Sequence, residues 1–141
     1  MKQICIINGP NLNLLGKREV ELYGEESFES YLRKLKAKYT DVSLDYYQSN
    51  HEGDLIDKIQ ACGFTCDGIV INAGGYTHTS IAIRDAIAAV PAPAVEVHIT
   101  DISRREPFRH HSYLTDVCCG SVIGKGLQGY DIAIERLIGK R

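Results

Sequence analysis

The chain has 141 residues, of which 44% are hydrophobic and 24% charged, and 16 basic against 18 acidic side chains leave a formal net charge of -2. That length suits one domain with its own core and leaves no room for a second full one, so residues 1–141 are read as a single α/β domain. The balanced charge excludes general attraction to nucleic acid or an anionic membrane. No apolar run approaches the ~20 residues of a membrane helix. The opening Met1-Lys2-Gln3-Ile4-Cys5-Ile6-Ile7-Asn8 has too short an apolar run for a signal peptide, so the expected compartment is the cytoplasm.

Ile4-Cys5-Ile6-Ile7 is a β-rich run closed by Asn8-Gly9-Pro10, a strand entering a turn. Residues 27–39 carry Phe28, Tyr31, Leu32, Leu35 and Tyr39 at the spacing of one helix face. Val42, Leu44 and Tyr46 alternate with Ser43 and Asp45, the pattern of a strand near a sheet edge. Asn50 is placed to cap a helix bearing Leu55, Ile56 and Ile59, with Gly63 just past its end. Ile69-Val70-Ile71 predicts a buried strand, residues 80–90 a helix stopped by Pro91, and Ala94-Val95-Glu96-Val97 a fourth strand. Ser121-Val122-Ile123 belongs to a fifth strand, and residues 128–138 form the last helix. Strands separated by helices pair in parallel through right-handed crossovers. The expected architecture is therefore a flavodoxin-like three-layer α/β sandwich around a five-stranded parallel sheet.

The cysteines are Cys5, Cys62, Cys66, Cys118 and Cys119, an odd number with one vicinal pair, which is no disulfide framework. Cys62-x3-Cys66 has a spacing used by zinc sites, but the expectation is five reduced thiols acting mostly as small buried hydrophobes.

In open parallel sheets, sites form beyond the carboxyl ends of the strands. Asn8, Asn11 and Asn13 follow the first predicted strand, Asn72 and His78 the third, and His98, Arg105 and Arg109 the fourth. Three neighbouring strand ends carrying amides, imidazoles and guanidiniums predict a functional cleft. The charged segment 16–24, bracketed by glycines, reads as a lid. Within it, Arg18 near the Tyr23 oxygen would favour a phenolate able to act as a base. Glu96 precedes His98 by two places on a strand, hence shares its face, and would hold the imidazole in one tautomer as a general acid. Arg105 and Arg109, four apart, would face an anion together if that stretch is helical; the alternative is ion pairing with Glu106 or Asp101.

Two patterns point elsewhere. Gly124-x-Gly126-x-x-Gly129 matches the dinucleotide fingerprint but lacks the strand and acidic residue that should follow it, so its glycines are assigned to close packing of the last helix. His110-His111 are neighbours and make a poor metal pair.

The run Asn8-Gly9-Pro10-Asn11-Leu12-Asn13-Leu14-Leu15-Gly16, then Arg18-Glu19 and Tyr23-Gly24, resembles the opening of type II 3-dehydroquinate dehydratases. So do Asn72-Ala73-Gly74-Gly75-Tyr76-Thr77-His78-Thr79-Ser80, Val95-Glu96-Val97-His98-Ile99, Arg105-Glu106-Pro107-Phe108-Arg109-His110-His111-Ser112-Tyr113 and Gly126-Leu127-Gln128-Gly129-Tyr130, in family order and spacing. The resemblance implies a single catalytic domain and a cofactor-free hydro-lyase that converts 3-dehydroquinate to 3-dehydroshikimate by anti elimination through an enolate. It implies Tyr23 as the base, Arg18 as the group favouring its phenolate, Asn11 as holder of a water at the enolate oxygen, and His98, supported by Glu96, as the acid. Asn72, His78, Arg109, Arg105 and the Ile99-Thr100 backbone would hold the substrate. Asp85 matches a residue that reaches a neighbouring subunit's site, and the family's assembly, a dodecamer of four trimers, is expected with it.

The chain departs from the family pattern at Val20 (usually proline), Ala73 and Gly75 (usually proline and alanine), Thr100 (usually serine) and Asp101 (usually asparagine). A looser lid is expected from Val20 and weaker substrate binding from the added charge of Asp101. The resemblance implies the third step of the shikimate pathway, towards chorismate and the aromatic amino acids; beside that biosynthetic reading stand a catabolic dehydratase of quinate breakdown and a flavodoxin-like binding module. A small nucleotide-binding enzyme and an inactive relative are the remaining alternatives.

Overall fold

The computed structural model describes residues 1–139; the last two positions of the predicted 1–141 domain lie outside the described residues. Five parallel strands, β1 (Lys2–Asn8), β2 (Val42–Gln48), β3 (Gly68–Asn72), β4 (Ala94–His98) and β5 (Gly120–Ile123), form one sheet in the order β2-β1-β3-β4-β5. The helices α1 (Val20–Tyr23), α2 (Phe28–Lys38), α3 (Glu52–Gly63), α4 (Ile81–Ala89) and α5 (Gln128–Leu137) complete an α/β sandwich.

The central strands are buried on both faces, which is why β1, β3 and β4 read as near-continuous apolar runs while edge strand β2 alternates. Ile4, Ile6, Val70, Val95, Val97 and Val122 face one core, closed by Phe28 and Leu35 of α2 and Tyr130, Ala133 and Ile134 of α5. Cys5, Ile7, Ile69, Ile71 and Ala94 face the other, closed by Leu55 and Ile59 of α3 and Ile83, Ala86 and Ile87 of α4. Each fully buried Ile or Leu contributes ~1.5–3 kcal/mol of transfer free energy, so these two layers supply most of the drive to fold.

Two helices begin at serine caps, while both ends of α3 differ from expectation. Ser27 Oγ accepts from Ser30 N at 3.1 Å and Ser80 Oγ from Ile83 N at 2.9 Å, so these serines cap α2 and α4. Asn50 does not cap α3: His51 occupies the N-cap position without a side-chain cap bond, and Asn50 Oδ1 accepts from Asn11 N at 3.0 Å instead. Gly63 is the last residue of α3 rather than one beyond it, and a Cβ there would lie 2.5 Å from the Val90 side chain. Gly129 has the role predicted for it: a Cβ would sit 3.2 Å from Val97 Cγ1, so its absence lets α5 approach β4. No described helix is long and apolar enough to cross a membrane.

Candidate active site

A cleft of about 170 Å³ opens beyond the carboxyl ends of β1, β3 and β4. Its floor is a buried polar chain. Tyr130 Oη, from α5, donates to Asn8 Oδ1 at 2.8 Å, and Asn72 Nδ2 donates to Tyr130 Oη at 3.1 Å. Asn72 Oδ1 accepts from Gly74 N at 3.1 Å, fixing which side of the amide faces the core. The Asn8 and Asn72 strand ends lie in register, and Gly9 N donates to Asn72 O at 2.7 Å. A Cβ at Gly9 would lie 2.4 Å from Ala73 O, so only glycine lets the two loops meet this closely.

One wall is the β4 end. Glu96 and His98 are both buried, and His98 Nε2 lies 2.5 Å from Glu96 Oε2. Ser112 Oγ also donates to Oε2 at 2.5 Å, while Thr115 Oγ1 and Ser121 Oγ each donate to Oε1 at 2.8 Å. Burial raises the carboxyl's proton affinity, but the His98 bond and charge and the Ser112 and Thr115 hydroxyls outweigh it and bring it to about 2. The carboxylate is therefore ionised and saturated with donors, and the imidazole is held in place. The His78 ring lies 6.5 Å from that of His98, with its Nδ1 2.8 Å from His111 O. Burial, opposed by the His111 contact and aided by His98 and Arg109, depresses the proton affinity of His78.

The opposite wall is the segment predicted as a lid. Gly16 and Gly24 take φ values of 88° and 87°, which justifies glycine at both brackets. Between them α1 carries Tyr23 into the cleft, and Val20 occupies its first turn, where proline's fixed φ is at home. Arg105 Nη1, not Arg18, donates to Tyr23 Oη, at 2.6 Å, and also to Thr100 Oγ1 at 3.3 Å. Arg18 stacks instead on the Tyr23 ring, its Cζ 4.5 Å from the centroid, and pairs with Glu19. The expected Arg18 contact with the phenol oxygen is thus corrected: Arg18 lies just before α1 in the same segment as Tyr23 and is drawn to Glu19, so it reaches the ring face, whereas Arg105 arrives from the β4 side at the oxygen.

Arg105 and Arg109 do not share a helix. Each follows or ends a separate 3-10 turn, over Ile102–Arg104 and Pro107–Arg109, because Pro107 interrupts the run. Both still line the cleft, with Arg109 Nε also 2.8 Å from Glu106 Oε1, the predicted surface pairing. Asn11, in a left-handed conformation at φ 70°, lines the cleft with Ile99 and Thr100. Asp85 is exposed on α4 and lines no part of this cleft. Asp101 turns away: Oδ1 accepts from Ser103 N at 3.0 Å and from Ser103 Oγ at 2.6 Å, capping its own turn.

The sequence profile described as Dehydroquinase class II matches residues 2–138. The chain belongs to the class II dehydroquinase family. It is 52% identical over 138 residues to a 3-dehydroquinate dehydratase of Campylobacter jejuni, covering 96% of this chain and 87% of that one. It is 49% identical over 138 residues to a catabolic 3-dehydroquinase of Aspergillus oryzae, covering 96% and 90%. The crystal structure of a type II dehydroquinase from Butyrivibrio crossotus superposes with a TM-score of 0.94 at 49% identity, covering 97% of each chain.

Several supports of this dehydroquinase cleft escape a reading of the sequence. Thr115 and Ser121 reach Glu96 from segments 19 and 25 residues downstream, and nothing local marks them. Gln48 and Asn50 brace the Asn11 loop, Gln48 Nε2 donating to Gly9 O at 3.1 Å and to Asn50 Oδ1 at 3.2 Å. Their place at and just after the end of β2 was the available signal, one that the capping role assigned to Asn50 obscured.

Proposed function

We propose that the chain is a 3-dehydroquinate dehydratase that removes water from 3-dehydroquinate by anti elimination. The observation that carries this is the placing of a guanidinium-bound phenol, Tyr23 with Arg105, and a carboxylate-held imidazole, His98 with Glu96, around one cleft. An anti elimination needs a base and an acid working on different faces of the ring, and these are the two groups suited to it.

The Tyr23 phenolate, stabilised by Arg105, takes the proton beside the ketone. The electrons left behind become an enolate, whose oxygen is met by a water held by Asn11. Preorganised donors at that oxygen matter because charge develops there. Collapse of the enolate expels the hydroxyl, which leaves as water with the proton delivered by His98. The proton on Tyr23 returns to solvent, His98 takes one back from solvent, and the net change is loss of one water. Glu96 holds the imidazole, and Arg18 covers the Tyr23 ring and completes the lid. Arg109, His78, Asn72 and the Ile99 and Thr100 backbone bind the substrate carboxylate and hydroxyls, for which a planar guanidinium is the fitting partner.

The same reading places the enzyme at the third step towards chorismate and the aromatic amino acids. It also places twelve copies in four trimers, with Asp85, exposed on α4, meeting a neighbour's cleft. Rescue of an auxotroph lacking this step tests the first, and light scattering after size exclusion tests the second.

The test of the reaction is ultraviolet absorbance on mixing with 3-dehydroquinate, since the product is a conjugated enone. Absorbance should rise, survive borohydride treatment of the enzyme, and fail in Tyr23→Phe. No rise from folded protein would overturn the assignment and favour the binding module. A rise abolished by borohydride would point to a lysine imine instead.

A further inference from the structure

A second cavity, of about 350 Å³, lies away from the cleft and is lined by Cys5, Cys62 and Cys66 with Asp45 and Thr65. Cys5 comes from β1, Cys62 from the last turn of α3, and Cys66 from the loop before β3. The loop is folded back by Cys66 N donating to Cys62 O at 2.8 Å, which brings the two cysteines within one turn of chain. Cys62 and Cys66 pack against the same buried layer as Cys5, and all three open onto this one cavity. None of the three has a part in the elimination chemistry, and all are free thiols. No set of three or more His, Cys, Asp or Glu side chains among the described residues is arranged to hold a metal ion. The cluster is therefore read for its sulfur chemistry.

The three thiols are not equivalent. Cys5 is buried, held protonated by its bond to Cys62 and by burial, and its Sγ lies 3.9 Å from Asp45 Oδ2. Burial pushes Cys66 up to about 11, and its Sγ donates to Gly68 O at 3.3 Å. Cys62 goes the other way. The bond from Cys5 lowers it to about 7 against the opposing effect of burial, with help from Cys66 and from the Lys58 ammonium. Lys58 is itself fixed by Asp45, at 2.8 Å. One sulfur thus collects the donors while two protonated neighbours stand ready beside it. Low proton affinity, access to solvent and adjacent thiols are what distinguish oxidant-reactive cysteines from inert ones.

We propose that Cys62 is a peroxide-reactive thiol that closes a reversible disulfide with Cys5 or Cys66. The Cys62 thiolate takes the terminal oxygen of a hydroperoxide. The O–O bond breaks, and the departing oxygen is protonated to water or alcohol. The Cys62 sulfenic acid so formed is attacked by the neighbouring sulfur. An S–S bond forms, the S–O bond breaks, and the hydroxyl leaves as water with the neighbour's proton. Two thiols lose two electrons and one hydroperoxide gains them. A bridge to Cys5 would tie α3 to β1, and a bridge to Cys66 would lock the turn between α3 and β3.

The test uses the full chain, limiting hydrogen peroxide, alkylation of remaining thiols and peptide mapping without reduction. The expected result is a Cys62 peptide linked to Cys5 or Cys66, lighter by two hydrogens and released by dithiothreitol. The link should be lost in Cys62→Ser and kept in Cys119→Ser, Cys119 being exposed. In the Cys5→Ala/Cys66→Ala double variant a sulfenic acid on Cys62 should be trapped by dimedone. If that double variant does not fold, dimedone competition in the unmodified chain reads the same step. Recovery of Cys62 as free thiol while Cys119 is oxidised would overturn the proposal. So would passage of Cys62 to sulfinic acid without any link.

Discussion

The two walls of the cleft are built on different principles. The His98 wall grows out of the sheet: Glu96 and His98 sit on β4, both are buried, and four donors fix the carboxylate. The Tyr23 wall hangs on a four-residue helix between two left-handed glycines, with Glu19 at φ 41° and Tyr23 only half-buried. A buried, saturated site is preorganised, and its position follows from the core. A short helix on a glycine-bracketed segment has little to hold it, which suits a part that must admit substrate and then close over it. The proposed acid is thus tied to the stability of the protein, and the proposed base to a segment with few buried contacts.

The sharpest way to break this contrast is to remove each of the two groups proposed to react. Tyr23→Phe should lower kcat by about 10²–10⁴-fold with no loss of thermal stability, because the phenol oxygen lies in a half-buried, mobile wall. His98→Asn should lower kcat on the same scale and lower Tm as well, because it strips a partner from buried Glu96. Kinetics and calorimetry on both variants check the pair. Equal stability losses would mean that the walls are not distinct.

Next in size is the acid dependence of the fold. Glu96 releases its proton at about 2 when folded against an ordinary 4.5, so its contribution to stability is complete above pH 4.5 and is lost as pH falls towards 2. That difference corresponds to roughly 3 kcal/mol. Urea unfolding of the unmodified chain should show the loss across this window. Glu96→Gln should be less stable at pH 7 and flatter below it.

A third test concerns the two arginines of the lid side. Arg105→Met removes a charged hydrogen bond to the phenol oxygen and should lower kcat by about tenfold to hundredfold, from ~1.5–3 kcal/mol. Arg18→Met removes a stacking contact and should act more on KM. If Arg18→Met proves the more damaging to kcat, substrate must draw the lid into an arrangement where Arg18 takes over the oxygen. The smallest effect is expected at Asp101. Its carboxylate caps its own turn, with Arg104 3.7 Å away, so Asp101→Asn should leave KM within about twofold, at or below ~0.5 kcal/mol. A large drop in KM would restore the sequence-based expectation that this charge repels substrate.

How much of this was legible follows the same division. The β4 wall could be read because strand periodicity places Glu96 and His98 on one face, and the buried strands announce themselves as apolar runs. The five strands and helices α2 to α5 were placed within a residue or two for the same reason, whereas α1 lies inside the segment read only as a lid. The guanidinium partner of Tyr23 could not be read. Arg18 and Arg105 are equally plausible by composition, and the choice depends on how α1 and the turns after β4 meet in space. Asn50 was misread because a strand-end amide before a helix is the ordinary signature of a cap, and only the packed Asn11 loop gives it another partner. Thr115 and Ser121 were invisible because hydroxyls are common and their distance from Glu96 in sequence carries no pattern.

The buried bond between Tyr130 and Asn8 spans 122 positions of the chain, and Asn72 joins them from midway. The floor of the cleft therefore cannot close until α5 has been made. A nascent chain paused before residue 130 can pair β1 with β3 and already carries Tyr23 and His98, but it lacks the strut that holds the two asparagines together. Competence to turn over substrate should arrive late and abruptly during synthesis, with long-range closure as the slow event.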